Sequence, residues 1–536
     1  MRKLYYNGTV ITMDDRLPRA EAVLTDGDRV LRVGSSGDLL SALGRKGIRY
    51  DLKGKTVVPA ITDSHAHLFL YACGRGWIDL KGVRSAGDLI SRIESRGATP
   101  VKKEWILGRG WDQNGMDDPA LPTLHALDKV SGGRPLFLER ICGHAALVNS
   151  VALERAGLGA GDPAPSGGRV VRDNGLVLDE AVNRVRAMME TPSRIRKKEL
   201  MQETIRELLS MGIAGVHEMG MTPEALDIYR ELSAGDDFRF RITGYLPGGD
   251  SSPDEISRQV SEAAEEENEY LSVPGVKLFA DGSLGARSAA LLEDYSDDPG
   301  NRGILVTDPE ELRERIMTFH AHSIQTAVHA IGDRGNRVVL DIFQRVQDEY
   351  PDRGARHRIE HAQLVDSQDI PRFASAGVIP SVQFSHCVSD YPWVEARLGA
   401  ERSGNAYPWR SLLESGARIV AGSDLPFENI INPVSGILAA VARTGAGGEP
   451  EGGWMPGESI PFEDALKAYT VNSAFASFTE NRRGMIREGM DADFTVISGD
   501  ISEIRPQRLP SVEVLSVVVA GETVYNRPGT RLKDSN

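Results

Sequence analysis

The chain has 536 residues, 40% hydrophobic and 26% charged, with 62 basic against 77 acidic side chains and a net charge of −15. That length asks for two to four domains, or one large α/β barrel with additions. The acidic balance argues against a nucleic-acid partner, which needs a basic face, and no apolar run is long enough to span a membrane.

The opening MRKLYYNGTV turns polar too soon for a signal peptide. Cys73, Cys142 and Cys387 make an odd count without metal-finger spacing, so a reduced, cytoplasmic setting is expected. The N-terminal stretches KLYYNGTVITMDD, AEAVLTDGDRVLRVGS and IRYDLKGKTVVPA alternate in polarity, with Gly, Asp and Asn marking hairpin turns. The C-terminal DADFTVISGD and VLSVVVAGETVYN read the same way. Short sheets need a partner face, so both ends are expected in one small β-sandwich, residues 1–57 and 484–536.

Between them lie eight candidate strands: TVVPAITDSH, GIAGVHEM, FRFRITGYL, PGVKLFADG, IQTAVHAIGD, RHRIEHAQL, GVIPSVQFSH and ARIVAGSD. Amphipathic runs such as DPEELRERIMTFHAHS and RGNRVVLDIFQRVQDEY separate most of them. The pattern predicts an α/β fold, a (β/α)8 TIM barrel over 58–69 and 196–483. After the first strand, residues 70–195 form a large insertion, expected to shape a lid and to choose the substrate. A second loop, TGAGGEPEGGWMPGE, follows the eighth strand.

In such a barrel the chemistry sits at the C-terminal strand ends. There the sequence places His65 and His67, Lys277, His329, His361 and Asp424 on five different strands. Buried barrel strands prefer Val, Ile and Leu, so packing gives no reason for this set. An ammonium on an apolar strand is costly to bury, which leaves two readings of Lys277. It snorkels at the strand edge, or its amine adds carbon dioxide to become a carbamate, an anionic two-oxygen ligand able to bridge two divalent cations. Asp424 could also cap a helix beginning in SDLPFENI. His320 and His322 read as a solvated helix face and His357 as a stabilising residue at the barrel bottom. His217 reads as support for a ligand, His125 has no motif around it, and EAAEEENE reads as an exposed helix face.

The ordered set His-x-His, Lys, His, His, Asp resembles the amidohydrolase superfamily. The stretches LKGKTVVPAITDSHAHL, GRGWDQ, GHAALVNSVAL, VKLFADGSLGARSAAL, VHAIGDRGN, RIEHAQL, SVQFSHCVSD, ENIINPV and EDALKAYTVNSAFASF resemble its YtcJ-like branch, which includes N-substituted formamide deformylases. The likeness runs nearly end to end. It implies that His65, His67 and Asp424 hold the more buried metal, that His329 and His361 hold a second, and that carboxylated Lys277 bridges them. Zinc is the expected ion, two per chain. The implied reaction is hydrolysis of a C–N bond in an amide or formamide, with Asp424 moving the proton. A small-molecule substrate is implied, and a homodimer is common in the family.

Substrate contacts fall to Trp111, His144, Arg287 and His386. Plainer alternatives are insertion core for Trp111, an ion pair for Arg287 and a structural histidine for His386, while His144 would hydrogen-bond substrate from above the barrel. Two features depart from the family pattern: Pro59-Ala60 stands where Pro-Gly is usual, and Cys142 precedes Gly143-His144 where an acid is frequent. Competing readings are a deaminase or cyclic-amide hydrolase acting on a small heterocycle, and a non-catalytic scaffold on the same fold.

Overall fold

A computed structural model describes residues 1–44, 47–95, 105–141, 143, 145–165, 168–189, 192–249, 251–351, 354–428, 430–499, 501, 505–530 and 532. The chain divides into two compact units, residues 1–71 with 201–536, and residues 72–200.

The first unit contains an eight-stranded parallel sheet: β1 (Ile61–Ala66), β2 (Ile213–Met219), β3 (Arg241–Pro247), β4 (Leu271–Phe279), β5 (Gln325–Ala330), β6 (Arg358–His361), β7 (Ile379–Val382) and β8 (Val420–Ala421). Consecutive strands pair in parallel. The circle closes just past β8, where Ala66 bridges Leu425. There the Asp424 amide donates to the His65 carbonyl at 2.8 Å, and the His67 amide donates to the Leu425 carbonyl at 2.8 Å. This seam needs a glycine. A Cβ on Gly422 would lie 2.3 Å from the His65 nitrogen and 2.7 Å from its Cβ.

The crossover helices start on a repeated local signal. Thr222, Ser252, Asp308 and Asn432 each accept a backbone N–H at the start of Pro223–Ser233, Pro253–Glu265, Pro309–Ala321 and Pro433–Ala442, with proline in the first turn. Proline there gives up an amide that has no helical partner anyway. The helix after β8 therefore begins at Pro433 under Asn432, and among the described residues Asp424 caps no helix.

The expected first strand, TVVPAITDSH, is two strands. Thr56–Pro59 pairs with Thr9–Ile11 and with Phe494–Ile497 in a separate six-stranded sheet. Beyond Ala60 the chain enters β1. That sheet also carries Val514–Val519, Glu522–Asn526 and Arg19–Ala20. It shares a core, including Tyr5, Val23, Val57, Phe494 and Val518, with a four-stranded sheet of Arg2–Tyr6, Ala22–Asp26, Arg29–Gly34 and Ile48–Asp51. Both chain ends thus meet in one sandwich. Arg241 of β3 forks onto Asp493 beside it, with both N–O distances 3.0 Å, a charge-assisted pair tying barrel to sandwich.

The second unit is a folded α/β body of its own. Its six-stranded sheet runs Gly168–Val171, Leu176–Asp179, Ala145–Val148, Leu136–Arg140, Ile106–Trp111, Ile78–Asp79. Alternation sends Phe137, Ala146 and Val148 into one apolar cluster and Leu136, Leu138 and Leu147 into another. No helix among the described residues is long and apolar enough to cross a membrane.

Candidate metal centre

Four imidazoles form a continuous row at the C-terminal ends of β1, β5 and β6. Ring centroids are 5.4 Å apart for His67–His65, 5.0 Å for His65–His361 and 4.5 Å for His361–His329. Lys277 of β4 is 2% exposed. Asp424 closes the ring of elements from beyond β8, its carboxylate 3.3 Å from Nε2 of both His65 and His67. The ligand-type atoms of His65, His67 and Asp424 all lie within 4.8 Å of one another.

Each imidazole has a fixed tautomer, because its second nitrogen is committed. His67 Nδ1 lies 2.7 Å from the Met219 carbonyl, which can only accept, so Nδ1 carries the proton. His65 Nδ1 lies 2.6 Å from Glu360 Oε2. Burial raises the Glu360 pKa, but the Arg358 charge and His65 overcome this and hold it well below the usual carboxylate range. His65 Nδ1 is therefore also a donor. His329 Nε2 donates to the Gly282 carbonyl at 3.2 Å, and His361 Nδ1 to Gln383 Oε1 at 2.7 Å. What remains free is a lone pair on His65 Nε2, His67 Nε2, His329 Nδ1 and His361 Nε2. Two of these lone pairs face the Asp424 carboxylate, and His65 Nε2 is buried without a hydrogen-bond partner. Acceptors facing acceptors in a buried site repel unless a proton or a metal cation stands among them. The residues fit a divalent metal.

Backbone strain marks the same positions. His361, Ala362 and Asp424 have φ of 74°, 41° and 57°, in the left-handed region that non-glycine residues avoid. In β6 strict alternation would set His361 opposite to Arg358 and Glu360. The positive φ breaks the alternation, and the His361 ring joins the row beside His65.

Burial pushes the Lys277 amine down to about 8, although Glu360 and Asp424 pull the other way. Its burial argues against an edge lysine with its head in water.

The sequence reading missed the groups behind the ligands. Arg358, fully buried, forks onto Glu360 (2.8 and 3.1 Å) and also reaches the Ser64 carbonyl, Ser381 Oγ, Tyr245 Oη and His217 Nδ1. One guanidinium thus joins β1, β2, β3, β6 and β7 beneath the row. Glu218 accepts the Leu68 and Phe69 amides just after His67. Asp281 accepts three backbone amides and lies 3.6 Å from His329 Nε2. Two charged residues in the four-residue strand Arg358–His361 were the available signal.

The expected substrate contacts separate. His386 is at the row: its ring is nearly parallel to that of His361, centroids 6.2 Å apart, and its Nε2 lies 3.9 Å from Glu428. Arg287 forks onto Asp297 at 3.0 and 2.9 Å on the surface, the ion-pair alternative. Trp111 is fully buried in the core of the second unit, its indole donating to the Leu138 carbonyl at 2.7 Å, the core alternative. His144 lies outside the described residues, as does Cys142. His320 is not on a solvated face. It is 3% exposed and sits between His357 Nε2 and the Tyr350 carbonyl, each 2.8 Å away.

The amidohydrolase family model matches residues 50–525. A Bacillus subtilis (strain 168) protein named "Putative amidohydrolase YtcJ" is 32% identical over 539 residues, 98% of this chain and 100% of that one. The N-substituted formamide deformylase of Arthrobacter pascens is 27% identical over 543 residues, 98% of each chain. A solved structure of a metal-dependent hydrolase from Pyrococcus horikoshii OT3 matches with a TM-score of 0.78 at 28% identity, over 94% of this chain and 99% of that one. With a barrel of this topology and the ordered strand-end set in place, the chain belongs to the amidohydrolase family of metal-dependent hydrolases.

Proposed function

We propose that the chain hydrolyses a C–N bond of an amide or N-substituted formamide in a small molecule. His65, His67 and Asp424 would hold one divalent cation, His329 and His361 a second, and carboxylated Lys277 would bridge them, with zinc as the ion. The observation that carries this reading is the convergence of fixed-tautomer lone pairs on the Asp424 carboxylate. The relative named for formamide deformylation supports the C–N bond as target.

When bound, such cations acidify water and polarise a carbonyl. This chain's residues do the rest. Asp424 accepts the proton released as water attacks the carbonyl carbon and passes it to the departing amine nitrogen, so the C–N bond breaks as the N–H bond forms. His386, beside the row, donates a hydrogen bond to the substrate carbonyl. At Lys277 the neutral amine attacks carbon dioxide, the N–C bond forms and one proton leaves; burial has already lowered the cost of deprotonation.

The test is Asp424→Asn. Expected is folded protein with metal largely retained and turnover lowered by about 100-fold or more. Near-normal turnover overturns the proton assignment. Formate or carboxylate release on screening supports amide cleavage. Ammonia release from a ring points instead to the deaminase reading, and neither metal nor turnover to a scaffold.

A further inference from the structure

Two phenylalanines stand at the two ends of the imidazole row. Phe427, in the loop after β8, packs edge-on to His67 with centroids 5.3 Å apart. Phe279 lies 5.5 Å from His329 and carries the Lys277 amine 5.1 Å from its ring centre. Phe279 follows Lys277 by two residues on β4, so both point to the same face, with the phenylalanine one step further out. Both rings keep large apolar surfaces in water: Phe279 is 47% exposed and Phe427 50%.

Beside Phe279 the exposed apolar surface continues. Ile304 is 57% exposed and Val306 55%. Their segment is anchored to the strand end: the Val306 amide donates to the Ala280 carbonyl at 2.8 Å, and Thr307 Oγ1 donates to the Phe279 carbonyl at 2.7 Å. Ile304 and Val306 flank Leu305, which bridges Asp281, and both are exposed. The mouth therefore presents a polar centre of ligand-type groups between apolar ends held by backbone hydrogen bonds. Exposed aromatic surface rimming a polar cleft marks a ligand site.

We propose that Phe279, with Ile304 and Val306, and Phe427 are the specificity-determining walls of this site, and that its substrates are amides whose substituents are apolar. The proposal rests on the hydrolase reading above and adds the substrate class to it. A polar scissile group sits over the imidazole row while its apolar flanks cover rings that otherwise face water.

The test uses the metal-loaded protein and a series of straight-chain alkyl hydroxamates, from acetyl to octanoyl, titrated by calorimetry. Hydroxamates engage a divalent centre without being consumed as amides. Expected is tightening of about two- to fourfold per added methylene in the wild type. In the double variant Phe279→Ala/Phe427→Ala the step falls below about 1.5-fold with metal content unchanged, and Phe279→Leu/Phe427→Leu, which restores apolar area, recovers most of it. A flat series in the wild type, or an equally steep one in the double alanine variant, overturns the walls while leaving the metal centre standing. Binding of no member of the series overturns the hydrolase reading itself, and the proposal with it.

Discussion

Glu360→Gln is the sharpest perturbation of the support beneath the metal centre. Both carboxylate oxygens accept: Oε1 from Arg358 Nε at 2.8 Å, Oε2 from His65 Nδ1 at 2.6 Å and Arg358 Nη2 at 3.1 Å. An amide has one acceptor. Turned toward His65, its NH2 faces the Arg358 Nε–H. Turned toward Arg358 Nε, its NH2 faces His65 Nδ1–H and drives that ring to the other tautomer, which puts a proton on Nε2 where a metal needs a lone pair. Replacing such a histidine-orienting partner costs about 10- to 100-fold in metal affinity, or about 1.4–2.7 kcal/mol. Arg358 keeps the Ser64 carbonyl, Ser381, Tyr245 and His217, so the loss of fold stability lies at or below the low end of the about 3–5 kcal/mol for a broken buried pair. Chelator competition reads the affinity and thermal unfolding reads the fold. A variant that folds and binds metal within about twofold of wild type refutes the idea that Glu360 sets the His65 tautomer.

Gly422→Ala forces a Cβ to within 2.3 Å of the His65 backbone; the expected cost is about 1–3 kcal/mol with reduced metal content, and an unchanged melting temperature counts against the tight β8–β1 seam. His357 receives the Thr326 amide on Nδ1 and donates from Nε2 to His320, whose own Nε2 donates to Tyr350. His357 is neutral in that chain. Burial, then the neighbouring His320, pushes His357 from 6.5 down to about 3. The unfolded chain thus binds a proton that the folded one refuses, so this contribution is complete above pH 6.5 and is lost as pH falls from 6.5 toward 3, at up to about 1.4 kcal/mol per pH unit. Urea unfolding between pH 7 and 5 should show a shallower slope in His357→Gln than in wild type; equal slopes would remove His357 from the account.

The set of side chains that meets at the strand ends could be read from sequence because charged and imidazole side chains stand out on strands whose other residues are apolar, as Lys277 does between Val276 and Leu278. The barrel was legible through its eight apolar runs and the amphipathic runs between them. The division of TVVPAITDSH was not, since Thr56–Pro59 and Ile61–Ala66 are equally buried and only pairing partners tell them apart. Arg358 and Glu360 were passed over because, apart from each other, their partners Ser64, His65, His217, Tyr245 and Ser381 lie on other strands, far away in sequence. His320 looked solvated because its helix is polar overall, yet its face meets His357. Trp111 carried a motif-like context, but the bulge at Gly110 turns it into the core of the second unit. The left-handed turns at His361 and Asp424 have no glycine to announce them.

The two-cation centre stands or falls on metal per chain, measured by elemental analysis on protein loaded with zinc with and without bicarbonate. Expected are about two equivalents in wild type with bicarbonate, and a fall in Lys277→Met that bicarbonate does not restore. Wild type that takes up no metal under either condition, or Lys277→Met that loads as wild type does, would contradict it.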